Sequence, residues 1–315
     1  MHAPRWLLVL VTAAAIATAG CRLFKRGLPA DFRRGGLELV YAVDSTPETG
    51  GREPALAAQA VATITQRIVA LGLCQPDVKA AGREITVRLP AACGPEIDRI
   101  KRLLRVGGRL EFREIDDGTA LAALAERVAV AGLTLGTDTW SDHGTGQARQ
   151  AHMVEGPLEG IERFRGGLAP DALPASVEAL VEPPAAERDR ARLYLVKREA
   201  QVTGAYLRDA RVGADPMTAS PNVSLEFDAA GAERFRALTE RIKGRKLAIV
   251  LDRRIMSAPV VMEAIGGGRA MITMGRAESG EAQFAEARDL TLALRSGALP
   301  APLVLVRENI IAQSR

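Results

Sequence analysis

The chain has 315 residues, 47% hydrophobic and 25% charged, with a formal net charge of +4. That length holds two modest domains, and the mixture of apolar and charged residues excludes both a disordered chain and a multispan membrane protein. The charge balance is too mild for a nucleic-acid binder, and with aromatics at only 4% the cores must be built from Leu, Val, Ile and Ala.

At the N-terminus Arg5 precedes the apolar run Trp6 to Ala19, followed by Gly20-Cys21. A basic start, a short apolar stretch and small residues read as a secretory signal over residues 1–20. Fourteen residues of helix reach only about 21 Å, short of the roughly 30 Å hydrocarbon core. The basic Arg22, Lys25 and Arg26 that follow also disfavour export behind an uncleaved helix. Thr18-Ala-Gly-Cys21 resembles the lipobox of bacterial lipoproteins, with Thr18 where Leu, Val or Ile is usual. The resemblance implies acylation of Cys21 and a lipid anchor. An uncleaved anchor and plain secretion are the alternatives.

Residues 21–36, with Pro29, Arg33-Arg34 and Gly35-Gly36, form a polar tether rich in breakers. Leu37 to Val43 has strand composition, and Glu53-Pro54 opens a helix with Leu56, Ala60, Ile64, Ile68 and Leu71 at helical spacing before Gly72. Asp77 to Ala80 and Arg83 to Leu89 flank Gly82 as a hairpin, with Ile85, Val87 and Leu89 on one face. Pro95 starts a second helix, closed by Gly107-Gly108 before the strand Arg109 to Ile115. The order β-α-β-β-α-β is the split ferredoxin-like pattern. In that order the first helix ends where the hairpin begins, and the hairpin returns to the same edge before Cys93. Cys74 and Cys93 therefore lie close together and are predicted to form a disulfide; two unrelated buried thiols are the alternative.

Residues 117–192 hold an amphipathic segment, Leu121 to Val130, then Gly-, Thr- and Pro-rich stretches. His143 and His152 stand nine apart with no cysteine partner, which is not a metal site. From Arg192 a second β/α unit begins: Leu193 to Val196 is a strand, Val202 to Ala210 a turn with a short helix, and Val223 to Phe227 a strand. Asp228 caps a helix carrying Phe235 and Leu238 that Gly244 ends. Lys246 to Asp252 is a buried strand, and Ile255 to Met262 a second, marked as an edge by Pro259. Gly266-Gly-Gly268 reads as a hairpin turn before the strand Ala270 to Met274. The helix Gly280 to Arg295 is stopped by Gly297 and barred from restarting by Pro300 and Pro302, a fixed exit into the strand Leu303 to Val306.

That exit, Leu294-Arg-Ser-Gly-Ala-Leu-Pro-Ala-Pro-Leu303, resembles a signature of SecD, a membrane subunit of the bacterial Sec protein-export machinery. Further blocks fall in the family's order: Asp31 to Asp44, Gly82 to Pro90, Leu110 to Arg113, Val202 to Gly204 with Leu207 to Ala210, and Leu247 to Asp252 leading to Ser257-Ala-Pro-Val260. The resemblance implies an α+β fold, a ferredoxin-like split βαβ base over 37–116 with an inserted α+β head over 193–298. Residues 117–192 are then a variable connection, and 299–315 a return strand that completes the base over Pro302 to Asn309, followed by a C-terminal tail. It further implies a non-enzymatic protein on the periplasmic side of the cell envelope. Its partners would be translocating polypeptides and Sec translocon or SecF-like subunits. SecD uses further membrane helices for its proton-driven step, and no apolar run after residue 20 supplies one here. An envelope scaffold that keeps the fold without the export role is the rival.

The residues themselves support no enzyme, no metal site and no cofactor, since three histidines and a cysteine pair leave no catalytic dyad. A polypeptide-binding surface is the remaining option, and an open strand edge binds extended chains with little sequence preference. The predicted edge over Ile255, Ser257, Pro259, Val260 and Met262 is the candidate, with a purely structural edge as the alternative.

Overall fold

The computed structural model describes residues 32–313 apart from 33, 47–48, 73, 142–144, 185–188, 216, 218 and 275–279. Cys21, His143 and the signal segment lie outside the described residues. The first half contains β1 (Gly36–Val43), α1 (Glu53–Val69), β2 (Asp77–Ala81), β3 (Glu84–Pro90), α2 (Ile97–Arg105), β4 (Leu110–Glu114), α3 (Thr119–Ala122) and α4 (Ala125–Val130). It continues with β5 (Thr134–Ser141), β6 (Ala148–Gly156), α5 (Leu158–Gly166) and β7 (Val177–Glu182). The second half contains β8 (Ala191–Lys197), β9 (Val202–Thr203), β10 (Leu207–Ala214), β11 (Pro221–Phe227), α6 (Ala229–Arg241), β12 (Leu247–Leu251), β13 (Arg254–Ser257), β14 (Arg269–Thr273), α7 (Gly280–Arg295) and β15 (Leu303–Ile311).

The base is a four-stranded antiparallel sheet in the order β15-β1-β3-β2, the strand order of a split βαβ fold. Leu39, Tyr41, Ile85 and Val87 alternate onto one face, where they meet Ala60, Ile64 and Ile68 of α1 and Ile100 and Leu104 of α2. Cys74 and Cys93 are joined as a disulfide beside this core, their Cα atoms 5.8 Å apart.

One assignment from the sequence is corrected here. Leu110–Glu114 is a strand, but it leaves the base and pairs with β12 and β9 in another sheet. The base's fourth strand is β15, so the insertion runs from about residue 106 to 302. Side-chain alternation explains the choice: β15 turns Leu303 and Leu305 to the base core, whereas Leu110 and Phe112 of β4 belong to a different core.

The insertion carries a sheet in the order β5-β6-β8-β7-β13-β12-β4-β9 and a smaller one, β10-β11-β14. Residues 117–192 are therefore more than a connection, since they supply β5, β6 and β7. Helices α3, α4 and α5 cover one face of the larger sheet through Leu121, Val128, Ile161 and Phe164. The other face curls upon itself: Ile115, continuing β4, bridges to Val196 of β8, and the Asp116 amide donates to the Leu195 carbonyl at 2.9 Å. Strands β8, β7, β13, β12 and β4 thus close into a small ring filled by Leu180, Tyr194, Val196, Ala248, Val250 and Ile255.

The head core lies between β4 and β12 and the smaller sheet. Phe112 meets Phe227 and Phe235 edge-on at 5.4 and 5.2 Å, and α6 and α7 add Leu238, Ala287 and Leu290. Asp228 caps α6 by accepting the Gly231 amide at 2.7 Å. Two further expectations are amended. The segment from Val202 to Ala210 holds its short helix as a single 3-10 turn, Gly204–Tyr206, but residues 207–210 begin strand β10 because they pair with β11. Gly266–Gly268 is no hairpin turn: β13 pairs with β12 and β14 with β11, so this loop carries the chain between two sheets.

Candidate functional site

Base and head are joined by two crossings, one after α2 and one after α7, and a single buried side chain holds both. Arg67 lies on the buried stripe of α1 with Ala57, Ala60, Ile64 and Ile68 and is 0% exposed. Its guanidinium donates to the carbonyls of Leu103 (3.0 Å), Val106 and Gly107 (2.9 Å) at the end of α2. It also donates to the Gly297 carbonyl (2.9 Å) and the Ser296 hydroxyl (3.1 Å) at the end of α7. None of these partners is a carboxylate; the unpaired carbonyls and partial negative charge of two helix C-termini take that place. Burial pulls the Arg67 pKa down to about 10, opposed by the charge of Asp252.

Asp252 tightens the outbound crossing. It and Arg253 form the two-residue turn between β12 and β13, with left-handed φ values of 49° and 64°. Its carboxylate accepts the backbone amides of Gly108 (3.2 Å) and Arg109 (2.9 Å). A Cβ on Gly107 would stand 2.5 Å from the same carboxylate, so a larger residue there would displace Asp252 from its two amides.

On the return crossing Gly297 takes φ +84°, and the Leu299 amide donates to the Gly107 carbonyl at 2.7 Å, lacing the two crossings together. Leu299 and Ala301 then enter the base core, and the Pro302 carbonyl accepts the Asp44 amide at 3.0 Å. Gly297, Pro300 and Pro302 therefore sit at the joint that brings the chain back. Sequence reasoning found this half and missed Arg67, whose one signal is a cation at a core position of an apolar helical stripe.

The predicted edge over Ile255 to Met262 is corrected. β13 is internal, paired with β12 on one side and, at Arg254↔Val181, with β7 on the other. Ile255 is wholly buried in the ring and Ser257 pairs with Ile249. Beyond Ser257 the chain stays paired on its β12 side, where the Pro259 carbonyl accepts the Leu247 amide at 2.9 Å and Val260 bridges to Lys246. Met262, 46% exposed, and Pro259 are the exposed members of the set.

The open edge of the larger sheet is β5, which among the described residues pairs only with β6, over Thr134 to Ser141 without interruption. Its inward side chains bind it to the ring. Asp138 accepts the Tyr194 hydroxyl (3.1 Å) and pairs with Lys246, which also lies over the rings of Trp140 (5.4 Å) and Tyr194 (5.9 Å). The Trp140 indole donates to the Gly244 carbonyl at 2.8 Å. Burial, then the Asp138 charge, pushes the Tyr194 phenol far above its ordinary range. Deeper in the ring, Arg113 pairs with Glu111 and Glu178, all three buried. His152 touches the Thr137 hydroxyl through Nδ1 at 3.2 Å, and no group of three or more His, Cys, Asp or Glu is placed to hold a metal among the described residues. Nor is any helix among them long and apolar enough to cross a membrane.

A ferredoxin-like base interrupted by a head, entered and left through one laced joint, resembles the exported part of SecDF proteins. Residues 180–301 match the family model of the SecDF P1 head subdomain. The chain is 30% identical over 263 residues to the protein translocase subunit SecD of Syntrophobacter fumaroxidans, covering 83% of this chain and 40% of that relative. To the translocase subunit SecDF of Thermus thermophilus it is 30% identical over 276 residues, covering 86% of this chain and 29% of the relative. A solved structure of SecDF, described as a membrane component that enhances protein export, aligns with a TM-score of 0.52 at 28% identity, over 86% of this chain and 98% of that one. SecDF in its super-membrane-facing form aligns with a TM-score of 0.57, also at 28% identity, over 90% of this chain and 31% of that one. The chain is similar to the first periplasmic domain of SecD, base and head together, and spans 40% of the length of the first relative above.

Proposed function

We propose that this chain is a non-enzymatic SecD-like envelope protein that assists protein export by binding translocating polypeptides or docking on Sec translocation machinery. The observation that carries this reading is the alignment over 98% of a solved chain of SecDF, a membrane component described as enhancing protein export. The protein acts on the periplasmic side, held to the membrane by a lipid on Cys21. Its domains divide into signal, tether, base, insertion and return strand.

A photo-reactive residue at Met262, on the head surface, tests the reading in living cells. Adducts with chains in transit or with Sec subunits are the expected result. Adducts only with other envelope proteins would favour a scaffold and overturn the export role. For the anchor, Cys21→Ser is expected to move the protein from the membrane to the soluble fraction, and retention in the membrane would exclude lipidation as the tether.

A further inference from the structure

We propose that the edge of β5, Thr134 to Ser141, is the seat on which an extended, unfolded polypeptide adds as a further strand. The inference rests on the polypeptide-binding reading above and assigns it a place that the sequence left blank.

Edge strands expose unpaired backbone groups, and soluble proteins blunt them with short length, bulges, charges, proline or cover. The other edges here are treated in these ways. β2 has five residues and carries Lys79; β9 has two; β14 has five. β10 is flanked by α7. β15 is long, but its pairing with β1 shifts register at Val40/Tyr41 and it carries Arg307, Glu308 and Asn309 in its second half.

Of these devices β5 carries a single inward charge. Its eight residues keep unbroken register with β6 and include no proline, lysine or arginine. Its one charge, Asp138, points to the ring side and is consumed by Lys246 and Tyr194. In an antiparallel ladder every second residue turns its N–H and C=O away from its neighbour, so about four residues of β5 offer both groups outward.

The occupant follows from the chemistry. On the face opposite Asp138 and Trp140, exposed Thr137, Thr139 and Ser141 make a row of small hydroxylated side chains with little power to select a side-chain sequence. What the edge recognises is backbone, which an unfolded chain presents and a folded surface generally does not. Trp140, Asp138 and Lys246 fix β5 against the ring, so the edge is formed before the ligand arrives and little ordering opposes binding.

The test uses the full chain purified in detergent and a reduced, carboxymethylated polypeptide as the unfolded probe. Hydrogen exchange read with and without the probe is expected to slow at least tenfold at the outward amides of residues 134–141. Thr137→Pro and Thr139→Lys are expected to weaken probe binding at least tenfold without changing the melting temperature of the base. If the probe binds but protection appears elsewhere, the β5 seat is overturned while the polypeptide-binding reading stands. If the chain binds no unfolded polypeptide, both fall. Protection of β5 that rises with protein concentration in the absence of probe, with dimers in sedimentation, would assign the edge to a second copy and overturn the proposal. Should either variant misfold, the exchange pattern of the parent chain decides alone.

Discussion

The base sheet and the ring of the insertion are held together by opposite means. The base depends on ties from outside its strands: a disulfide from the end of α1 to the turn after β3, and Arg67 reaching across two helix ends. The ring is secured from within by its own hydrogen-bonded closure and by ion pairs that face its interior. The difference teaches where each region is vulnerable. Cutting one tie should loosen the base and its joint as a unit, whereas the ring should lose stability locally.

Arg67→Ala would break this contrast most sharply. It leaves four carbonyls and a hydroxyl without their donor and should cost about 3–5 kcal/mol by urea unfolding. Arg67→Lys should recover little, because an ammonium cannot fork to two helix ends. A loss under about 1 kcal/mol would show that the joint does not depend on this cation.

Reducing the disulfide, or Cys93→Ser, comes next at about 3 kcal/mol for its loop, if the reduced state gains full chain freedom. Hydrogen exchange should then speed up in β2 and β3 but not in β12 and β4. Uniform acceleration would mean that base and ring unfold together. Within the ring, Trp140→Phe removes the hydrogen bond to Gly244 and should cost about 1 kcal/mol, visible as faster exchange confined to β5.

The smallest effect is acid sensitivity. Hydrogen bonding from Arg88 holds the Glu38 carboxyl below its usual range in the base, and the Thr119 amide and hydroxyl do the same for Asp117 beside the ring. A carboxyl lowered in the folded state contributes stability above its unfolded pKa and loses it as pH falls through the lowered value. Both regions should therefore weaken below about pH 4. Glu38→Gln should flatten that slope by only a few tenths of a kcal/mol, as befits a partly exposed pair.

The base was legible in the sequence because its signals are local: alternation in Glu84–Pro90, helical spacing from Glu53, and the Gly297, Pro300 and Pro302 stop. The return joint was legible for the same reason. The departure of β4 from the base was not: both β4 and β15 follow a glycine-marked helix end, and only the distant cores they fill tell them apart. The ring escaped because it is assembled from β4, β7, β8, β12 and β13, and no single segment carries the pattern of a closed sheet. Pro259 misled about Ile255 and Ser257, because a proline lying beyond a strand says nothing of the partners of the residues before it. β5 was missed because Thr, Gly and Ser read as turn when no apolar alternation frames them.

The pairing of β1 with β15 has a consequence for how the molecule is made. Chains emerge from the ribosome, and from any export channel, N-terminus first, so β1 appears early and its partner last, with the whole insertion between Val106 and Pro302 still to come. Until Leu303–Ile311 arrives, β1 has β3 on one side and a bare flank on the other. The insertion must complete its own folding while that flank waits, and an intruding strand from another nascent chain is the natural accident of the interval.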